Sequence, residues 1–170
     1  MKVVSVWFAF VFAMLLTGCG LQGIPQAENA VDAASAEVTN QYKRRADLVP
    51  NLVNTVKGYA SHEKETLTEV TEARAKATSM NIDPSKASPE DIAKYQQAQG
   101  QLSQALGRLM VVSEKYPELK ADANFRDLQA QLEGTENRIG VARGRLIESI
   151  QNFNNLITVP PTSRPKPSKR

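Results

Sequence analysis

The 170-residue chain has one cysteine, one histidine and one tryptophan. A single cysteine excludes any intrachain disulfide, and a single histidine excludes the paired imidazoles of a zinc-protease helix. His62-Glu63 opens like the H-E-x-x-H metal motif, but Thr66 stands where the second histidine is required. A hydrolase built on His62 would also need a nucleophile and an orienting acid, and no motif supplies them. Catalytic residues, metal and non-covalent cofactor are therefore expected to be absent. Aromatic residues make up only 6% of the chain, and beyond Gln26 the alternation that marks strands is nearly missing.

A strongly basic body is missing too. The net charge is +3, but Lys2 and four cations of the last thirteen residues account for it. Residues 19–157 carry 16 basic against 18 acidic side chains. Such a body cannot track phosphates, so nucleic acid is not an expected partner.

What is present begins with export. Residues 1–18 combine Lys2, an uncharged apolar run over residues 3–16 and small residues before Cys19. The run is too short for a comfortable membrane span of about 20 residues, and it reads as a secretory signal. Leu16-Thr17-Gly18-Cys19 resembles a bacterial lipobox, in which small residues admit the signal peptidase and the cysteine sulfur takes a diacylglycerol. The expected anchor is thus a diacylglycerol on Cys19, with a further acyl chain, such as palmitate, on its amine. Two or more chains hold a protein stably on a membrane where one does not. Gly20 rather than Asp follows the cysteine. The expected address is the periplasmic side of the outer membrane in a host with two membranes, and otherwise the outer face of the plasma membrane.

Residues 19–25 read as an irregular tether, 26–157 as a helical body and 158–170 as an extended, basic, proline-rich tail. The tail reads either as an arm for anionic lipid or wall polymer or as a solubilising terminus. Breakers divide the body into four helices at about 26–45, 48–79, 89–114 and 122–157, giving an all-α, elongated antiparallel four-helix bundle. The last helix is the clearest: Phe125, Leu132, Ile139, Leu146 and Phe153 fall seven apart, with Leu128, Thr135, Ala142, Ser149 and Leu156 on the alternate seam. Ser88-Pro89-Glu90-Asp91 reads as a hydroxyl cap, a first-turn proline and acids facing the helix dipole. Pro50 inside a helix would cost about 3 kcal/mol. The spacing therefore predicts Asp47 as an N-cap, with Lys43, Arg44 and Arg45 closing the preceding helix. The alternative is one helix kinked at Pro50.

Four charges fall on or beside seams. Glu63 sits in the row of Val49, Val56, Val70 and Ala77, and Arg74 in that of Val53, Ala60 and Leu67. The expectation is a structural polar cluster in which Glu63 meets Arg138 and Arg74 meets Glu148, fixing register. The alternative is four solvated charges. Gly58, Gly107, Gly140 and Gly144 read either as sites of close approach or as tolerated helix glycines. Arg44, Arg45, Asn51, Asn54 and Thr55 form a candidate partner surface.

Two blocks carry a family resemblance. QYKRRADLVPNLVNTVKGYASHEKETLTEVTEARAKA, residues 41–77, resembles the core motif of the LemA family, and YPELKADANFRDLQAQLEGTENRIGVAR, residues 116–143, resembles its second block. The resemblance covers residues 38–155 and implies an α-helical bundle with an N-terminal membrane anchor or lipobox. Residues 27–42 lack the aromatic-rich start common in that family, and the chain passes from NNLITVPP straight to the basic tail. The function expected is a lipid-anchored, non-catalytic scaffold or adaptor of the bacterial cell envelope, acting on an unidentified envelope protein. A binding module for a wall or lipid component, using an inter-helix groove or the tail, is the second reading.

Overall fold

In a computed structural model, the structure describes residues 23–80 and 87–158. These are all-helical, with no strand among the described residues. Five helices follow one another: α1 (Gly23–Tyr59), α2 (Lys64–Ser79), α3 (Pro89–Ser113), α4 (Pro117–Ala121) and α5 (Ala123–Thr158). The signal segment, the lipobox residues Leu16, Thr17, Gly18 and Cys19, and the tail beyond Thr158 lie outside the described residues.

The first half of the chain departs from the sequence expectation. Pro50 lies inside α1, which runs unbroken for 37 residues, about 55 Å. The break expected at 45–48 falls instead at Ala60–Glu63, so the helices expected at 26–45 and 48–79 are replaced by α1 and α2. Asp47 is therefore not an N-cap, and Lys43, Arg44 and Arg45 do not close a helix. Gly23 to Pro25, expected in the tether, are helical, with Pro25 in the first described turn, where a ring in place of an amide hydrogen is tolerated.

Gly58 weakens the end of α1 by about 1 kcal/mol relative to alanine. The chain then turns through exposed Ser61 and His62, with the Glu63 amide donating to the Ala60 carbonyl at 3.1 Å. The other boundaries follow their chemistry. Ser88 Oγ accepts from the Asp91 amide at 3.1 Å, while the Asp91 carboxylate accepts from the Ser88 amide, forming a capping box with Pro89 in the first turn. Asp122 Oδ1 accepts from the Phe125 amide at 2.8 Å and opens α5. The segment expected to separate the last two helices holds α4 instead of loop alone.

Helices α1 and α5 pack along their whole length as an antiparallel pair. Tyr59 meets Asp122 at one end, and Gly23 approaches Leu156 at the other. Helix α2 folds back on α1, and α3 runs antiparallel to α2, with Gln99 meeting Ala77 and Arg108 gripping Glu69 in a two-pronged ion pair. The main core fills the space between these helices with Leu52, Val56, Val70, Leu102, Leu109 and Phe125. Because α2 and α3 are shorter, α1 and α5 run on beyond them as a stalk. The core row of α5 that is buried at Leu132 and Ile139 leaves Phe153 only half-buried, and neighbouring Ile150 and Ile157 are 40% and 53% exposed.

Candidate functional site

Helix α1 carries one continuous seven-residue row: Ile24, Val31, Val38, Arg45, Leu52 and Tyr59. Arg45 takes the place of an apolar residue in that row, and its side chain is only 1% exposed. A buried guanidinium needs its donors satisfied, and here the two terminal nitrogens are, while Nε is buried without a partner among the described residues. Nη2 donates to the Gln99 carbonyl at 3.0 Å and to Gln99 Oε1 at 2.7 Å. Nη1 donates to Glu136 Oε1 at 2.8 Å and to Ser103 Oγ. The guanidinium carbon stands 5.2 Å from the centre of the Tyr42 ring, an approach that adds cation–π attraction. Gln99 in turn donates from Nε2 to the Ala77 carbonyl at 3.2 Å. One arginine thus ties α1 to α3 and α5 directly, and to α2 through Gln99.

The row of α1 would have revealed this arginine. Placing a helix end at residue 45 concealed it, because a terminal arginine faces solvent and a mid-row arginine faces the core. Arg45 is accordingly removed from the candidate partner surface. Arg44, Asn51 and Asn54 are exposed on α1, and Thr55 is half-buried, donating to the Asn51 carbonyl at 2.9 Å.

The expected polar cluster does not form among the described residues. Glu63 lies in the break, accepting from the Tyr116 hydroxyl at 3.3 Å with Lys115 at 3.8 Å. Arg138 is exposed and donates to Thr135 on its own helix at 3.1 Å. Arg74 Nε donates to the Ala46 carbonyl at 2.8 Å, and Glu148 is exposed. Glu63 falls on the expected seam only if one helix runs through it from residue 48. The break at Ala60–Glu63 removes that premise.

His62 is exposed in the same break. No group of three or more His, Cys, Asp or Glu side chains converges as a metal set among the described residues. An added Cβ at Gly58, Gly107, Gly140 or Gly144 meets nothing within 4 Å, so no close packing among the described residues requires these glycines.

Next to the Arg45 network, residues of α1, α3 and α5 line a cavity of about 310 Å³. Tyr42 and Tyr95 stand at its inner end, edge to face with ring centres 5.7 Å apart. Burial raises the Tyr95 phenol above its ordinary pKa, so this hydroxyl stays protonated near neutrality. The walls are mainly apolar, with Val38 buried, Leu146 half-buried, and Ile147 and Ile150 exposed. Asp32 on α1 and Arg143 on α5 are the charged lining residues. No described helix is long and apolar enough to cross a membrane.

Against known proteins, the family model described as LemA family matches residues 34–164. A protein named Protein LemA from Metamycoplasma hominis is 28% identical over 131 residues, covering 77% of this chain and 53% of the relative. The chain spans about half the length of that curated relative.

Proposed function

The chain belongs to the LemA family, and on that premise we propose that it is a lipid-anchored, non-catalytic scaffold or adaptor of the bacterial cell envelope. In this reading, residues 1–18 are a cleaved signal, and Cys19 carries a diacylglycerol and an amine-linked acyl chain. The helices form an up-down-up-down bundle at one end and a two-helix stalk at the other. The observation that carries the reading is the Arg45 network. The arginine of the family-like motif bonds inward to Gln99, Ser103 and Glu136, which fixes the bundle end as a rigid body. Its exposed neighbours Arg44, Asn51 and Asn54 are then held on that body at little ordering cost, which favours contact with a partner protein.

In-cell crosslinking followed by mass spectrometry tests the proposal. Wild type is compared with Cys19→Ala, a truncation at Thr158, and the double change Asn51→Arg/Asn54→Arg. The expected result is a specific crosslinked protein that is lost with the asparagine changes and with Cys19→Ala. Capture of nothing above background would remove the adaptor reading, and failure of Cys19 to incorporate labelled fatty acid would remove the anchor. A second reading, ligand binding between helices, is favoured by the cavity beneath Tyr42 and Tyr95.

A further inference from the structure

We propose that the cavity between α1, α3 and α5 binds a single-chain amphiphile with a zwitterionic head. This rests on the second, ligand-binding reading and is independent of the adaptor reading. The site is a chamber made by three helices. Buried Val38 and half-buried Leu146 line it, and Tyr42 and Tyr95 stand at the end nearest Arg45. A volume of about 310 Å³ lies at the lower end of the range for small-molecule sites, and an apolar lining with a few charged groups is their usual composition.

The shape and the charges select the ligand. Ile147 and Ile150, 56% and 40% exposed, carry the apolar lining on toward the stalk, so a hydrocarbon chain longer than the chamber lies along them and removes them from water, where a compact ring would not. Asp32 and Arg143 stand on different walls, one on α1 and one on α5. A phosphate-bearing head satisfies Arg143, and an ammonium group on the same head satisfies Asp32. A fatty acid has only the first charge, and an alkyl ammonium only the second. Lysophosphatidylcholine carries both, joined to one hydrocarbon chain.

The experiment uses the full chain produced in a bacterial envelope, extracted in detergent and exchanged into a dialysable surfactant. Lysophosphatidylcholine is titrated by calorimetry, with an uncharged monoacylglycerol of equal chain length as the comparison. Wild type is expected to bind one lysophosphatidylcholine per chain, at least tenfold more tightly than the monoacylglycerol. Ser35→Trp fills the chamber from a half-buried wall position and is expected to weaken both ligands at least tenfold, with an unchanged melting temperature. Arg143→Gln is expected to weaken lysophosphatidylcholine alone, because the exposed arginine acts only on the head. Equal affinity for the two ligands, or binding unaffected by Ser35→Trp, overturns the proposal. So does the absence of amphiphile binding combined with crosslinking of Ile147→Cys to a partner helix or a second copy of the chain, which assigns the groove to a protein. The adaptor reading fails separately, through the crosslinking experiment on Asn51 and Asn54.

Discussion

Arg74 donates from Nε to the carbonyl of Ala46 at 2.8 Å, and Ala46 is the residue four positions before Pro50. In an unbroken helix that carbonyl would accept the amide hydrogen of residue 50, which proline lacks. The arginine of α2 thus supplies the donor that α1 is missing, and it also pins α2 against α1. This explains how a proline sits inside a 37-residue helix.

Arg74→Ala is expected to destabilise the protein by about 1–3 kcal/mol, the cost of leaving a part-buried carbonyl without its charge-assisted partner. In a Pro50→Ala background, the alanine amide takes over the carbonyl, and the same change should cost less than about 1 kcal/mol. Denaturant unfolding of the four proteins in this double-mutant cycle measures the coupling. Equal costs in the two backgrounds would show that Arg74 acts elsewhere.

The Arg45 network leads to a different pattern. Arg45→Ala opens a cavity beside buried Gln99 and is expected to cost about 2–5 kcal/mol, since Glu136, 41% exposed, can turn to water. Arg45→Lys keeps the charge but loses the fork that reaches three residues, so it should recover only part of that loss. Replacing both Arg45 and Gln99 with leucine removes the buried polar pair while filling its space. The double variant should therefore be more stable than Arg45→Ala. Chemical denaturation of the three variants ranks them, and a double variant weaker than the alanine variant would refute the argument.

How much of this was legible in the sequence depended on which signals were local. The start of α3 was readable because Ser88, Pro89 and Asp91 make their contacts within one turn. The row Phe125, Leu132, Ile139, Leu146 and Phe153 placed α5 to within a residue at each end. Pro50 misled because its compensation comes from Arg74, 24 positions away and on another helix, whereas propensity is a property of the nearby chain. The true break, near Gly58, carries a weaker local signal than the proline. Once the helix boundary was misplaced, Arg45 became a surface residue and Glu63 a seam residue, and both inversions follow from that single step. The cavity was beyond local reading, since its lining comes from three helices far apart in sequence.

Tyr59 and Asp122 join the ends of α1 and α5 through a 2.9 Å hydrogen bond from the phenol to the carboxylate. The Phe125 amide, together with Tyr59, lowers the Asp122 pKa below its ordinary 3.8, and Asp122 raises the Tyr59 pKa above 10.0. For Asp122 the folded value is the lower one, so its contribution is present above about pH 4 and is lost as pH falls through the folded value. For Tyr59 the folded value is the higher one, so its contribution holds below about pH 10 and is lost as pH rises through the folded value. Thermal melts across pH are expected to fall at both ends. Asp122→Asn should flatten the acid limb, and Tyr59→Phe should flatten the alkaline limb. Asp91, lowered by its bonds to Ser88, adds to the acid limb and remains in both variants.

The glycines Gly107 and Gly140 are helical, with open space where a Cβ would stand. Each should therefore gain about 0.5–1 kcal/mol on substitution by alanine, through helix propensity and a less flexible unfolded chain. The two stand on different helices and an added Cβ at either meets nothing within 4 Å, so the gains are expected to add. Thermal denaturation of the single and double variants checks both the sign and the sum. A loss of stability at either position would mean that the helix surface there is covered in the folded protein.

Helices α1 and α5 change neighbours along their length, and local stability should change with them. Around Leu52 and Val56, α1 is packed against a core shared with α2, α3 and α5, and both side chains are at most 1% exposed. Around Ile24 and Ile157, each is covered only by the other among the described residues, and the side chains are 43% and 53% exposed. Amide protection rises with buried contact, so opening should begin in the stalk and proceed toward Arg45. Native-state hydrogen exchange is expected to give fast exchange over residues 23–36 and 146–158, and protection near the global limit over 46–56. Arg45→Ala should extend the fast region inward, because the guanidinium bonds α1 to both α3 and α5. Uniform protection along α1 would show instead that the stalk is covered by something bound to it, and adding lysophosphatidylcholine to a fast-exchanging stalk should raise protection first around Val38 and Leu146.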